Sequence, residues 1–252
     1  MSEPKIALVT GASRGLGRSM AHHLAAAGIG IIGTYKSRKD EADQMVAEAE
    51  QAGVPAAVLQ LDVGDSDGFA QFSAALIDTL RSFGRNSIDY LINNAGIGVY
   101  APFADTTEEQ FDDIVRVHLK APFFLTQTLL PLIADGGRIL NVSSGLARFT
   151  APGYAVYATA KGAVEVLTRY QAQELGARGI RVNALVPGAI ATDFGGGLVR
   201  DNEQVNQMLA STIALGRVGE PDDIGAAVPA ILSDALHWAT GTRIELSGGQ
   251  SL

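Results

Sequence analysis

Short apolar runs alternate with longer stretches of helical periodicity along this chain. Residues 5–10 read K-I-A-L-V-T and run into glycines, as buried strands do. Similar runs recur at 29–35, 56–61, 89–94, 138–143, 181–186 and 242–246. Between them, 15–27 is helix-like and stops at Gly28, and 38–52 is charged, alanine-rich and ends at Gly53-Val54-Pro55. The stretches 108–133 and 153–177 have the length and pattern of long helices. Pro122 lies inside the first and predicts a kink or local break, because proline lacks an amide and crowds the preceding turn. Near-continuous apolar strands alternating with helices predict one α/β domain: a doubly wound parallel sheet of about seven strands, covered on both faces, with right-handed connections. No repeat, linker or low-complexity tract interrupts this rhythm. The glycine-rich polar stretch T-D-F-G-G-G-L-V-R-D-N-E-Q at 192–204 predicts a mobile loop, part of a substrate lid over 193–209.

Composition narrows the function. At 252 residues and 47% apolar, the chain can bury a large single core, and 18% charge argues against disorder. A net charge of −8 repels phosphate backbones and anionic lipid heads, so neither nucleic acid nor a membrane surface is an expected partner. The absence of cysteine excludes disulfides, thiolate catalysis and zinc-thiolate sites, and no metal site is expected. The start, M-S-E-P-K-I-A-L-V-T, lacks the pattern of a signal peptide, and no apolar run reaches the ~20 residues of a spanning helix. A soluble, cytoplasmic protein is the expectation.

T-G-A-S-R-G-L-G at 10–17 lies between the first strand and the first helix. Gly11, Gly15 and Gly17 allow a tight turn and close approach of a ligand, and amides at the helix start can hold a pyrophosphate. The spacing departs from the common G-x-G-x-x-G, and a merely tight turn is the plain alternative. The second strand closes with T-Y-K-S-R-K, where an acid would bind the ribose hydroxyls of NAD. No acid appears before Asp40; Lys36, Arg38 and Lys39 crowd that corner, and Arg14 projects from the glycine loop. Cations at a helix N-terminus oppose its dipole, which points to a phosphate ligand and to NADP rather than NAD.

Residues 154–161 read Y-A-V-Y-A-T-A-K, so Tyr154, Tyr157 and Lys161 fall on one stripe at helical spacing. Reducing a ketone requires a hydride and a proton. A free tyrosine, with a pKa near ~10, exchanges protons poorly at neutral pH, and a lysine cation one turn away favours the phenolate. Ser143 and Ser144 end the fifth strand, at the carboxyl edge where open α/β sheets bind ligands. The plain alternative for Lys161 is an ion pair with Glu165 at i+4, in the weaker order on a helix.

Taken in order, these segments resemble the short-chain dehydrogenase/reductase family over nearly the whole chain. T-G-A-S-R-G-L-G is similar to its cofactor loop, L-D-V (61–63) to its adenine-side turn, N-N-A-G (93–96) to its fourth-strand signature and Y-A-T-A-K (157–161) to its catalytic pair. V-N-A-L-V-P-G-A-I-A-T (182–192), G-R-V-G-E-P-D-D-I-G (216–225) and T-G-T-R-I-E-L-S-G-G (240–249) resemble its later segments. The resemblance implies a Rossmann fold, NADP(H) as cofactor and a ketoreductase nearest in look to 3-oxoacyl-carrier-protein reductases. It makes Tyr157 the general acid and gives Lys161 two tasks, lowering the tyrosine pKa and hydrogen-bonding the nicotinamide ribose. It selects Ser144, thirteen positions before Tyr157, over Ser143. The implied cofactor set is Gly11, Ser13, Arg14, Gly15, Leu16 and Gly17 in the loop; Lys36, Ser37 and Arg38; Asp62 and Val63 at adenine; and Asn94, Ala95 and Gly96. Pro187, Gly188, Ile190 and Thr192 would surround the nicotinamide end, beside Tyr157 and Lys161. The resemblance also implies a homotetramer formed through the long helices, with Phe123, Phe124 and Leu125 available for it.

Three positions depart from the family pattern. His118 stands where asparagine is common; that residue's backbone holds a relay water, and a histidine with pKa near ~6.5 can itself shuttle protons or simply pack. Ser247 replaces an aspartate before Gly248-Gly249, with a local loop effect expected. Asp135 stands where carrier-protein reductases often place a cation, which weakens docking of an acidic carrier, although Arg178 remains nearby. The expected activity is NADPH-dependent reduction of a carbonyl to a secondary alcohol, on a small molecule. The alternatives are an NAD-dependent alcohol or steroid-like dehydrogenase and a non-catalytic cofactor sensor. The expected pocket residues Gly145, Leu146, Ala147, Phe149, Tyr154 and 193–209 are mostly apolar or small, which suits a hydrophobic ketone or acyl group.

Overall fold

The computed structural model describes residues 4–252. The first three residues, on which the expectation about the chain's start partly rests, lie outside the described residues. The chain runs β1 (Ile6–Val9), α1 (Gly15–Ala26), β2 (Gly30–Tyr35), α2 (Lys39–Gln51), β3 (Ala56–Gln60), α3 (Phe69–Ser82) and β4 (Ile88–Asn93). It continues with α4 (Glu108–Val115), α5 (Ala121–Leu129), β5 (Ile133–Val142), α6 (Ala155–Leu175) and β6 (Arg181–Pro187). Four short helices, α7 (Leu198–Asp201), α8 (Glu203–Ala210), α9 (Pro221–Gly225) and α10 (Val228–Leu232), precede β7 (Arg243–Leu246).

The seven strands form one parallel sheet in the order β3-β2-β1-β4-β5-β6-β7. Each expected strand is present. Buried residues form a cluster on either face, one under α1, α2 and α9–α10, the other under α3, α5 and α6. Strands covered on both sides have no wet face, which is why β1 reads as unbroken I-A-L-V with every residue buried. Helix α3 is an addition to the expected elements. Its Phe69, Phe72, Leu76 and Leu80 recur at helical spacing and are buried, a signal present in the sequence.

Strand β5 begins earlier than its apolar run. Ile133 pairs with Ile88, the register shifts at the polar A-D-G-G, and regular pairing resumes with Arg138 opposite Tyr90. The long helix expected over 108–133 is two helices joined by a π-helical turn at Arg116–Lys120. Pro122 has no amide for the His118 carbonyl, and the Ala121 amide reaches back to Arg116 instead. Of the three apolar α5 residues considered for assembly, Leu125 is a core residue, whereas Phe123 and Phe124 reach the surface. Among the described residues no helix is long and apolar enough to cross a membrane.

The topology places the site. From β1 the chain moves outward through β2 and β3, then crosses back to β4 and moves the other way. The loops after β1 and β4 therefore part, and a crevice opens at the carboxyl ends of the strands.

Candidate active site

The catalytic residues and the implied cofactor set named from sequence all line this one cleft, of about 480 Å³, whereas Ala147 of the expected pocket does not. The glycine loop after β1 and the N-N-A-G turn after β4 meet at its floor. The Asn94 side-chain amide donates to the Thr10 carbonyl (2.9 Å) and the Gly11 carbonyl (3.3 Å), and Thr10 Oγ1 accepts from the Asn94 and Ala95 amides. Gly11 has φ +66°, and a Cβ there would stand 3.1 Å from the Ala95 Cα. No side chain caps the start of α1, and its first turn carries no acid. Its free amides and positive dipole end thus face the cleft, an arrangement that accepts a pyrophosphate.

The basic corner is already partly neutralised within the chain. Lys36 pairs with Asp62 at 2.8 Å, Arg38 with Glu41 at 2.6 Å, and Arg14 with Asp193 across the cleft. Lys39 is a correction: it bonds Asp43 one turn on, at 2.7–2.8 Å, and does not line the cleft. Asp40 and Glu41 in the first turn of α2 answer the dipole cost that the cations raise.

The stripe at 154–161 divides at the helix start. Tyr154 is the residue before α6, with non-helical φ/ψ, and its ring meets Tyr100 edge-on with centroids 5.5 Å apart. Tyr157 and Lys161 lie within the helix, one turn apart. Tyr157 packs between His118 (5.1 Å) and Phe194 (5.8 Å). Ser143 and Ser144 have separate tasks. The Ser143 hydroxyl donates to Glu165 (2.8 Å), whereas Ser144 accepts from the Leu146 amide (3.2 Å) and acts on the Tyr157 hydroxyl. Glu165 is taken by Ser143 and Arg243, and the Lys161 ammonium donates to the Val142 carbonyl at 2.7 Å, so the Lys161–Glu165 ion pair does not form.

Burial reverses the expected titration. It pushes the Tyr157 hydroxyl up to about 12, against the opposing pull of Ser144, and brings the buried Lys161 down to about 7. The expectation that the lysine cation lowers the tyrosine pKa fails in the cofactor-free chain, because desolvating two charges outweighs their mutual effect. His118 is corrected likewise. Burial, then the Lys161 charge, holds it well below its ordinary value, so it is neutral and does not titrate near neutral pH. Its Nε2 lies 2.7 Å from the Ile97 carbonyl, and its Nδ1 is buried without a partner among the described residues.

The lysine shift has a consequence for stability. Folded Lys161 releases its proton near pH 7, while the unfolded chain holds it to the ordinary 10.5. The unfolded state binds more protons in that window, so this group makes stability rise with pH between about 7 and 10.5. Urea unfolding of the cofactor-free protein is expected to show this as a slope on the order of 1 kcal/mol per pH unit, absent in Lys161→Met. Equal slopes in the two proteins would refute it.

The turn where carrier-protein reductases often place a cation offers no free one here. Asp135 accepts from Arg178 at 2.7 Å, and that guanidinium also serves the Leu130 and Ile133 carbonyls. Apolar walls come from Leu146, Phe149, Tyr154, Phe194, Val199 and Leu209. The 193–209 segment folds as a left-handed glycine run, Gly195–Gly197, followed by α7 and most of α8. Gln250, which the sequence reading missed, also lines the cleft.

Comparison with known proteins places this geometry. A family model described as enoyl-(acyl carrier protein) reductase matches residues 11–251. The chain is 36% identical to 3-oxoacyl-(acyl-carrier-protein) reductase FabG of Staphylococcus aureus, over 99% of each chain. Among solved structures it resembles LugOII, described as a promiscuous reductase that catalyses keto-reduction at C1 during lugdunomycin biosynthesis (TM-score 0.93, 37% identity, 98% of each chain). It also resembles the angucycline C-6 ketoreductase LanV with bound NADP (TM-score 0.92, 36% identity, 98% of this chain and 95% of that one).

Proposed function

As the chain belongs to the short-chain dehydrogenase/reductase family, we propose that it is an NADPH-dependent ketoreductase that converts a hydrophobic ketone to a secondary alcohol. The observation that carries this reading is the convergence of Ser144, Tyr157 and Lys161 on the crevice that also holds the glycine loop.

The residues present fit the cofactor. Gly17 lets the loop close onto the start of α1 and hold its amides towards the cleft, since a Cβ there would lie 2.1 Å from the Gly11 carbonyl oxygen. The uncapped start of α1 would receive the pyrophosphate, and Arg14, Lys36 and Arg38, which line the same end of the cleft, would meet the 2′-phosphate. Asp62 and Val63 would flank adenine, and Asn94, Ala95 and Gly96 would lie beneath the cofactor. Pro187, Gly188, Ile190 and Thr192, also on the cleft wall, would meet the nicotinamide end. When bound, NADPH supplies the hydride. Tyr157, protonated at neutral pH, donates its hydroxyl proton to the carbonyl oxygen that Ser144 orients. Lys161 gives the ribose an ammonium to bond and, once charged, favours the phenolate left behind. Neutral His118 acts as a packed wall against Tyr157.

The substrate reading rests on the walls. Aromatic and aliphatic side chains with one polar end suit a free hydrophobic ketone, and the neutralised Asp135–Arg178 turn makes carrier-bound 3-oxoacyl thioesters the second reading. The lid over 193–209, a cytoplasmic location and a homotetramer formed through α5 and α6, where Phe123, Phe124, Val166 and Tyr170 are exposed, belong to the same reading. Following NADPH and NADH consumption against hydrophobic ketones, 3-oxoacyl thioesters, enoyl thioesters and quinones tests it. Turnover confined to enoyl thioesters, or none with any carbonyl, would refute it. Lys36→Asp is expected to lower the NADPH-to-NADH preference in kcat/KM by about tenfold or more, since a charge-assisted contact is replaced by repulsion. An unchanged ratio would remove Lys36 from the phosphate site.

A further inference from the structure

Four of the five amides in the turn at 188–192 are hydrogen-bonded. Gly188 donates to the Leu246 carbonyl (3.1 Å), Ala191 to Gly219 (2.8 Å) and Thr192 to Ile190 (2.9 Å). Ala189 alone donates to a side chain, the Oε1 of Gln250, at 2.8 Å. The Ile190 amide has no partner among the described residues.

Gln250 is 4% exposed, yet it comes from the far end of the chain. Three segments hold it there. Its amide donates to the Ser247 carbonyl (3.2 Å), and its carbonyl accepts from Arg148 (2.7 Å) on the loop after β5. Arg148 also reaches the Ser251 carbonyl (2.9 Å) and pairs with Glu245 (2.8 Å). The backbone of Gln250 bridges to Ile213, just beyond α8, and the Ser251 amide donates to Thr212 (2.9 Å). Ser251 has φ 53°, the one positive φ outside glycine among the described residues, so the tail follows a costly path to reach this place. Gly188 makes room, because a Cβ there would stand 2.9 Å from Gln250 Oε1 and from Ser247. Ser247, expected to have only a local effect, is thus part of the same fastening.

We propose that Gln250 is a positioning residue: clamped by Arg148, it occupies the Ala189 amide and fixes the 188–192 turn so that the Ile190 amide faces the nicotinamide end of the cofactor. The proposal rests on the NADPH reading above. A buried amide side chain stays in place only if it is hydrogen-bonded, and here the bond joins the tail to the wall of the cleft. The tail in turn joins that wall to the substrate loop at Arg148 and to Thr212 and Ile213, just beyond the 193–209 segment.

Calorimetry tests it with two probes, NADPH and 2′-phospho-ADP-ribose, which lacks nicotinamide. Gln250→Met fills the space but removes the acceptor. It is expected to weaken NADPH about three- to tenfold, as loss of one hydrogen bond implies, and to leave the nicotinamide-free probe unaffected. Gln250→Glu retains an acceptor oxygen and should recover most of the NADPH affinity. Gln250→Asn, one methylene short, should repeat the selective loss with the polar group intact, and decides the matter if the methionine variant fails to fold. Equal losses for both probes, or none for NADPH, would overturn the proposal. A parent protein that binds the nicotinamide-free probe but not NADPH would overturn it too. Binding of neither probe would remove the NADPH reading itself and this proposal with it.

Discussion

Tyr157→Phe is expected to lower kcat for ketone reduction by about a thousandfold or more while NADPH binds as before, because the general acid is lost and the ring is kept. The ring makes the packing contacts, edge-on to His118 at 5.1 Å and beside Phe194 at 5.8 Å, and phenylalanine retains both. The hydroxyl makes the chemistry. Burial holds it protonated to about pH 12, so in the parent nearly every molecule carries the transferable proton at neutral pH. Neither neighbour can take over. Lys161 donates to the Val142 carbonyl from beneath, and neutral His118 has its Nε2 at the Ile97 carbonyl. Steady-state turnover with separate cofactor titration checks this. A variant with near-parental kcat would sink the role given to Tyr157, and one that lost NADPH binding equally would make the residue a cofactor contact first.

Gly17→Val is expected to abolish measurable NADPH binding, at least a hundredfold in Kd, and to destabilise the cofactor-free chain by about 1–3 kcal/mol, the usual scale of overpacking. A Cβ at this position would lie 2.1 Å from the Gly11 carbonyl oxygen and 2.6 Å from the Asn94 side-chain amide. The first is backbone, held in a turn with φ +66° at Gly11, and cannot rotate away. The second is the group that ties the loop to the N-N-A-G turn. Either the loop opens or α1 shifts, and both dismantle the amide cradle. Calorimetric titration with NADPH and urea unfolding read the two effects. Parental affinity in the variant would mean that the glycine loop does not hold the cofactor.

Much of this was legible in order along the chain. The strand runs, the glycine loop and the serine–tyrosine–lysine spacing are local patterns, and local patterns follow from backbone periodicity. Pro122 announced a break, although not that a π turn would absorb it. Helix α3 was equally readable from Phe69, Phe72, Leu76 and Leu80. The stripe at 154–161 was read one residue too generously, since a tyrosine at helical spacing can still stand outside the helix.

What the sequence by itself determined is therefore the alternation that builds the sheet, the loop that can cradle a phosphate and the residue types of the acid–base pair. Tertiary structure alone decided how those groups behave. It raised Tyr157, lowered Lys161 and silenced His118, because desolvation depends on what surrounds a side chain rather than on its neighbours in the chain. It gave Glu165 to Arg243 and Arg178 to Asp135, and it carried Gln250 from the far end of the chain to the Ala189 amide. Contacts between distant segments are fixed by the strand order of the sheet and its packed helices, and no periodicity along the chain records them.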